Sequence, residues 1–87
     1  MYRIMLADDE GIVIDSLKFI IEKEFGDLCE IQYAKTGRSV IELAESFRPD
    51  IAVMDIQMPG INGIDAIKEI KKSNSSTVFI VMSAYDK

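Results

Sequence analysis

No histidine and no tryptophan occur among the 87 residues, and cysteine occurs once, as Cys29. Without an imidazole there is no Ser-His-Asp triad, no histidine base and no histidine metal ligand. A single thiol makes neither an internal disulfide nor a Cys-rich zinc site, a usage that points to a reducing, cytoplasmic setting. Long apolar runs are missing too, and the run Val78 to Met82 falls far short of a bilayer span. The N-terminus meets Asp8, Asp9 and Glu10 almost at once and offers no apolar core of a signal peptide. Basic residues are outnumbered, 10 against 15 acidic, and the net charge of -5 argues against nucleic acid or an anionic membrane as a direct partner. What is present is a chain 48% hydrophobic, long enough for one small domain, with carboxylates, hydroxyls and lysines for chemistry.

Short apolar runs alternate with stretches of helical period. Tyr2 to Ala7 reads as a buried strand closed by Asp8-Asp9-Glu10-Gly11. Val13, Ile14, Leu17, Ile20, Ile21 and Phe25 then fall on one face of a helix, which Gly26 and Asp27 stop. Ile31 and Tyr33 alternate with polar neighbours, the period of a half-exposed strand at a sheet edge. Val40, Ile41, Leu43, Ala44 and Phe47 mark a second helix, with Ser39 and Glu42 as its expected capping box and Pro49 forcing Arg48 out of helical geometry. Ile51 to Met54 is a third strand ending at Asp55. Met58-Pro59-Gly60 has the order of a type II turn, and Asn62 is placed to cap a third helix whose Ile64, Ala66, Ile67 and Ile70 face inward. Val78 to Met82 is a fourth strand, followed by Ser83-Ala84. Strands alternating with helices predict an α/β fold with right-handed crossovers and a parallel sheet covered on both faces.

In such sheets ligands bind beyond the carboxyl ends of the strands. Asp8 and Asp9 follow the first strand, Asp55 closes the third and Ser83 follows the fourth. Singly, each has an ordinary role as a turn, cap or strand-ending residue. Jointly, if strands one and three are neighbours, three carboxylates converge on one crevice. Such a cluster repels itself unless a cation neutralises it, and hard oxygen donors favour Mg2+ or Mn2+ over zinc. Two further signals carry less: Cys29 reads as a small apolar filler, and Lys68, Lys71 and Lys72 as a solvated face late in the third helix.

Asp8-Asp9-Glu10, the lone Asp55, Met58-Pro59-Gly60 with Gly63 after it, and Ser83-Ala84 together resemble the receiver domain of two-component response regulators. The resemblance spans residues 1–87 as one domain and implies a flavodoxin-like, three-layer α/β/α sheet of strand order 2-1-3-4. It implies that Asp55 is the phosphoacceptor for a sensor histidine kinase. Asp8, Asp9 and Asp55, with the main-chain carbonyl of Gln57, would hold the metal. Ser83 would contact the phosphoryl oxygens and switch, Pro59 and Gly60 would shape the turn, and Ala84 would leave access. A domain of this kind is a phosphoryl acceptor, not an enzyme acting on other substrates, and its conformational change controls a C-terminal output domain, expected to act on transcription, with DNA binding as one form of that output.

The family domain continues through a fourth helix, a fifth strand and a fifth helix, so the chain is expected to be the larger, N-terminal part of a receiver, incomplete at its C-terminus. The family's strand-five lysine has no counterpart, and Lys87 does not take its role. An uncovered edge on the fourth strand is then expected to favour self-association. Two rival readings remain: a pseudo-receiver that only binds proteins, and an aspartyl-phosphate phosphatase of the haloacid dehalogenase kind. The latter wants a second acid two residues after its nucleophile, where Gln57 stands.

Overall fold

A computed structural model describes residues 1–82. Its elements are β1 (Tyr2–Ala7), α1 (Gly11–Phe25), a 3-10 turn (Gly26–Leu28), β2 (Cys29–Ala34), α2 (Gly37–Phe47), β3 (Ile51–Asp55), α3 (Gly63–Ser73) and β4 (Val78–Met82). The four strands form one parallel sheet in the order β2-β1-β3-β4. This is the strand order expected from the sequence, and it puts β2 at an edge.

The central strands are apolar at consecutive positions because they are covered on both sides. Ile4 and Leu6 of β1 point to one face and meet Ile14 of α1, with Leu17, Ile21, Ile31, Ile51 and Val53 packed around them. Met5 and Ala7 point to the other face and join Ala52, Met54, Val40, Ala44, Phe47, Ala66 and Ile70 under α2 and α3. Among the described residues, two helices thus cover one face and one helix the other.

That imbalance corrects part of the helical reading. Ile20 and Phe25 of α1 are exposed, because among the described residues no second helix packs beside α1 on that side of the sheet. Ile64, expected inward, is exposed in the first turn of α3. The capping box of α2 is also displaced. Thr36 is the N-cap and Ser39 its reciprocal partner, with Ser39 N donating to Thr36 Oγ1 at 3.2 Å and Thr36 N to Ser39 Oγ at 3.1 Å. Glu42 instead pairs with Arg38 on the exposed face. Asn62 caps α3 as expected, accepting from Ile64 N at 2.7 Å.

At the opposite end of the strands the chain is tied by backbone and hydroxyl groups. Pro49 ends α2, and Arg48 leaves the helix with φ 51° and ψ 66°. The Pro49 carbonyl accepts from the buried Thr77 hydroxyl at 2.7 Å. Asp50 N donates to Arg3 O and its carboxylate accepts from Arg3 N, both at 2.8 Å. These bonds set the register in which β1, β3 and β4 finish at the same level, where the acids lie.

Candidate functional site

Parallel pairing brings the carboxyl ends of β1 and β3 together, with Ala7 opposite Met54. Asp8 leaves β1 one residue later, and Asp55 is the last residue of β3. The carboxylates of Asp8, Asp9 and Asp55 each offer an oxygen within 4.8 Å of the others. Asp8 and Asp55 are buried while Asp9 is exposed, so the cluster reaches from the protein interior to solvent.

The two buried acids are held alike. Asp8 Oδ1 accepts from Glu10 N at 2.9 Å, and Asp55 Oδ1 accepts from Gln57 N at 3.0 Å. Each is a local turn in which a carboxylate fixes the amide two residues on, leaving its second oxygen unused by these bonds. Burial pushes the Asp8 carboxyl up from its ordinary value; the Glu10 amide holds it down, and the charges of Asp55, Asp9 and Glu10 push it up again. A half-open cavity of about 340 Å3 opens on the group, lined by Asp8, Asp9, Glu10, Val13, Asp55, Gln57 and Met82. Its donors are hard carboxylate oxygens with no thiolate or imidazole, a set suited to a divalent cation of the magnesium kind.

The loop after β3 is clamped by close backbone approaches. Gly60 has φ 96°, the left-handed geometry that the second central position of a type II turn requires. Gly37 N donates to Pro59 O at 3.2 Å, and a Cβ on Gly37 would come within 1.7 Å of Ile61 Cγ2. Gly63 N donates to Ile56 O at 3.0 Å, while Ile56 N reaches Met82 O at 3.3 Å. The segment from Asp55 to Gly63 is therefore pinned to α2, α3 and β4 at once.

Of the site residues expected from the sequence, Asp8, Asp9, Asp55 and Gln57 meet at this cavity, and Pro59 and Gly60 form the adjoining turn. Ser83 and Ala84 lie outside the described residues. Sequence reasoning did not single out Glu10, Val13 or Met82 as cavity residues. Val13 sits in a helical apolar stripe and Met82 in an apolar strand, and nothing in either pattern distinguishes a side chain facing the core from one facing a cavity. The close approach of Gly37 to Ile61 comes from the tertiary fold and has no local signal in the sequence. No helix among the described residues is long and apolar enough to cross a membrane.

Comparison with known proteins agrees with this geometry. Residues 4–87 match the family described as the response regulator receiver domain. The chain is 42% identical over 82 residues to the chemotaxis protein CheY of Thermotoga maritima, covering 94% of this chain and 67% of that one. It is 38% identical over 85 residues to the transcriptional regulatory protein YesN of Bacillus subtilis, covering 98% of this chain and 23% of that one. The crystal structure of the response regulator domain of Thermotoga maritima CheB superposes with a TM-score of 0.84 at 34% identity, covering 95% of this chain and 60% of that one. The chain thus spans between about a quarter and two thirds of the length of these proteins.

Proposed function

The chain belongs to the response regulator receiver domain family, and from that premise we propose that Asp55 accepts a phosphoryl group from the phosphohistidine of a sensor kinase. The observation that carries this reading is the meeting of Asp8, Asp9 and Asp55 within 4.8 Å at the shared end of β1 and β3. The Asp55 carboxylate oxygen attacks phosphorus, the P–N bond to the donor imidazole breaks, and the nitrogen keeps the electron pair. Little else is asked of the protein than in-line placement and management of charge.

Asp8, Asp9 and Asp55, with the Gln57 carbonyl, would hold Mg2+ or Mn2+ at this cavity. When bound, such an ion offsets the negative charge of the carboxylates and of the phosphoryl oxygens. The Gln57 amide bond to Asp55 Oδ1 fixes the rotamer of the nucleophile, leaving Oδ2 for attack. Ser83 is assigned to the phosphoryl oxygens, and Ala84 to the access route, on family resemblance.

The reading makes the chain a signal acceptor that controls an output domain, and relatives such as YesN, of which it covers 23%, support transcription as that output. Phosphatase chemistry of the haloacid dehalogenase kind is disfavoured, because the Gln57 side chain cannot protonate a leaving group. A pseudo-receiver role is disfavoured by the complete acid set.

The test is incubation with acetyl phosphate and magnesium, followed by intact mass measurement and mapping of the modified residue. The expected result is one phosphoryl group on Asp55, absent in Asp55→Asn. Stable phosphate on Ser83, or equal labelling of the Asp55→Asn protein, overturns the assignment.

A further inference from the structure

We propose that Asn62 is a site of spontaneous deamidation, gated by the hydrogen bond that holds Gly63 N on Ile56 O. The starting point is the dipeptide Asn62-Gly63, where the loop after β3 enters α3. Asparagine amides are chemically labile, and a glycine in the next position has no side chain to hinder attack on them. Asn62 is exposed, so water reaches its amide, whereas Gly63 is buried.

The reaction needs only the chain and water. Gly63 N attacks Cγ of the Asn62 side chain, the new N–Cγ bond forms and the Cγ–Nδ2 bond breaks. Nδ2 keeps the electron pair and leaves as ammonia, with the proton that Gly63 N gives up. Water then adds to one carbonyl of the cyclic imide, that carbon's bond to nitrogen breaks, and Gly63 N regains a proton. Opening at Cγ leaves an ordinary aspartate at position 62. Opening at the main-chain carbonyl leaves isoaspartate, whose backbone runs through the former side chain and is one carbon longer.

In the folded chain three features oppose the first step. Gly63 N donates to Ile56 O at 3.0 Å, so its proton is released only when that bond opens. Asn62 Oδ1 accepts from Ile64 N at 2.7 Å, which fixes the amide as the cap of α3. Asn62 has ψ 140°, a geometry that turns the next nitrogen away from Cβ, and ring closure needs that nitrogen swung back toward Cγ. The rotation would drag Gly63 out of a slot where it packs on the Asp55 and Ile56 backbone too closely to admit a Cβ. The ring therefore closes only when the loop lifts from the end of β3. The two products then differ. Aspartate keeps an oxygen for Ile64 N and adds a negative charge at a helix N-terminus, where charge of that sign is favoured. Isoaspartate inserts a chain atom before Gly63 and displaces it from Ile56 O, which leaves the loop beside Asp55 open.

The experiment ages the dilute 87-residue chain in mildly alkaline buffer, with and without concentrated urea. Intact mass and peptide mapping follow conversion at Asn62, and enzymatic carboxyl methylation counts isoaspartate. Conversion is expected in both samples, about ten- to a thousandfold slower in the folded one, the range that local opening of a loop sets. Hydrogen exchange at the Gly63 amide is expected to be slowed by a similar factor, because both processes wait for the same opening. Asn62→Ser, which keeps a capping oxygen and removes the amide, is expected to abolish conversion in this peptide. No conversion at Asn62 in urea overturns the site. Equal rates with and without urea overturn the gate, and so does slow conversion beside a freely exchanging Gly63 amide. A folded chain that never converts while the urea sample goes to completion many times over removes Asn62 as a site of the folded protein. None of these outcomes touches the assignment of Asp55.

Discussion

A Cβ on Gly63 would stand 2.9 Å from the carbonyl oxygen of Asp55 and 2.5 Å from Ile56 Cα. Both neighbours are backbone, so neither can swing aside as a side-chain tip would. The first residue of α3 is thereby pressed against the strand end that presents the acid. Gly63→Ala is expected to cost about 1–3 kcal/mol through forced backbone movement. It should also weaken divalent-ion binding, since the segment that shifts carries Asp55. Thermal melts and a magnesium titration on the same variant check both; wild-type values in each would show that α3 retreats without disturbing β3.

Asp8 makes a prediction about pH. Burial, and then the charges of Asp55, Asp9 and Glu10, raise its carboxyl above the ordinary value, against the opposing Glu10 amide. A carboxyl raised by folding contributes stability that is fully present below its unfolded value and is lost as pH rises through its folded value. Ionised Asp8 is thus a cost to the metal-free protein near neutrality. Asp8→Asn keeps an oxygen for the Glu10 amide and removes that cost. In the presence of a chelator the variant should melt higher than the parent at pH 7, with the gap closing as pH falls below about 4. A gap independent of pH would mean that charge is not its cause.

Asp9 is the exposed member of the triad, and its loss leaves the buried pair in place. Asp9→Ala is expected to weaken magnesium or manganese binding by about tenfold or more, because one of few hard oxygen donors disappears. Isothermal titration against the parent measures this directly. Identical affinities would move the ion away from the three acids.

Thr77 provides the contrast. It is buried, and its hydroxyl reaches Pro49 O at 2.7 Å at the ends of the strands opposite the acids. Thr77→Val preserves shape but leaves that carbonyl without this donor, at an expected cost of about 1–2 kcal/mol. Magnesium affinity should be unchanged. A fall in both quantities would show that the strand ends communicate through β3.

The element order, the strand order and the acid triad were legible in the sequence because each depends on local signals. These are apolar runs of strand length, helical periods, and acids placed just after strands. The failures share a different cause. Periodicity identifies an apolar stripe but not which part of it finds a neighbour, so Ile20, Phe25 and Ile64 were placed inside and stand exposed. The Thr36–Ser39 cap was missed because Ser and Glu at the usual spacing suggested a cap three residues later. Contacts such as Gly37 against Ile61, or Thr77 against Pro49, join residues more than twenty positions apart and have no local signature.

The edge formed by β4 yields the last prediction. Among the described residues its hydrogen-bonded neighbour is β3 alone. Val78 is 59% exposed and Ile80 51% exposed, both on the face that, among the described residues, α1 alone covers. The other edge strand, β2, carries Glu30 and Gln32 at exposed positions, a charge and a polar group that discourage pairing. No charged residue interrupts β4. Val78 and Ile80 are already about half covered, so burying the rest is worth about 1–1.5 kcal/mol for each side chain, enough to favour association of two copies once several such residues are covered together. The 87-residue polypeptide is therefore expected to dimerise or assemble further with rising concentration, and Ile80→Lys to return it toward monomer. Sedimentation equilibrium over a wide concentration range separates the outcomes. A parent that stays monomeric throughout, with a sharp melt, would show that this apolar surface costs the polypeptide too little to drive pairing.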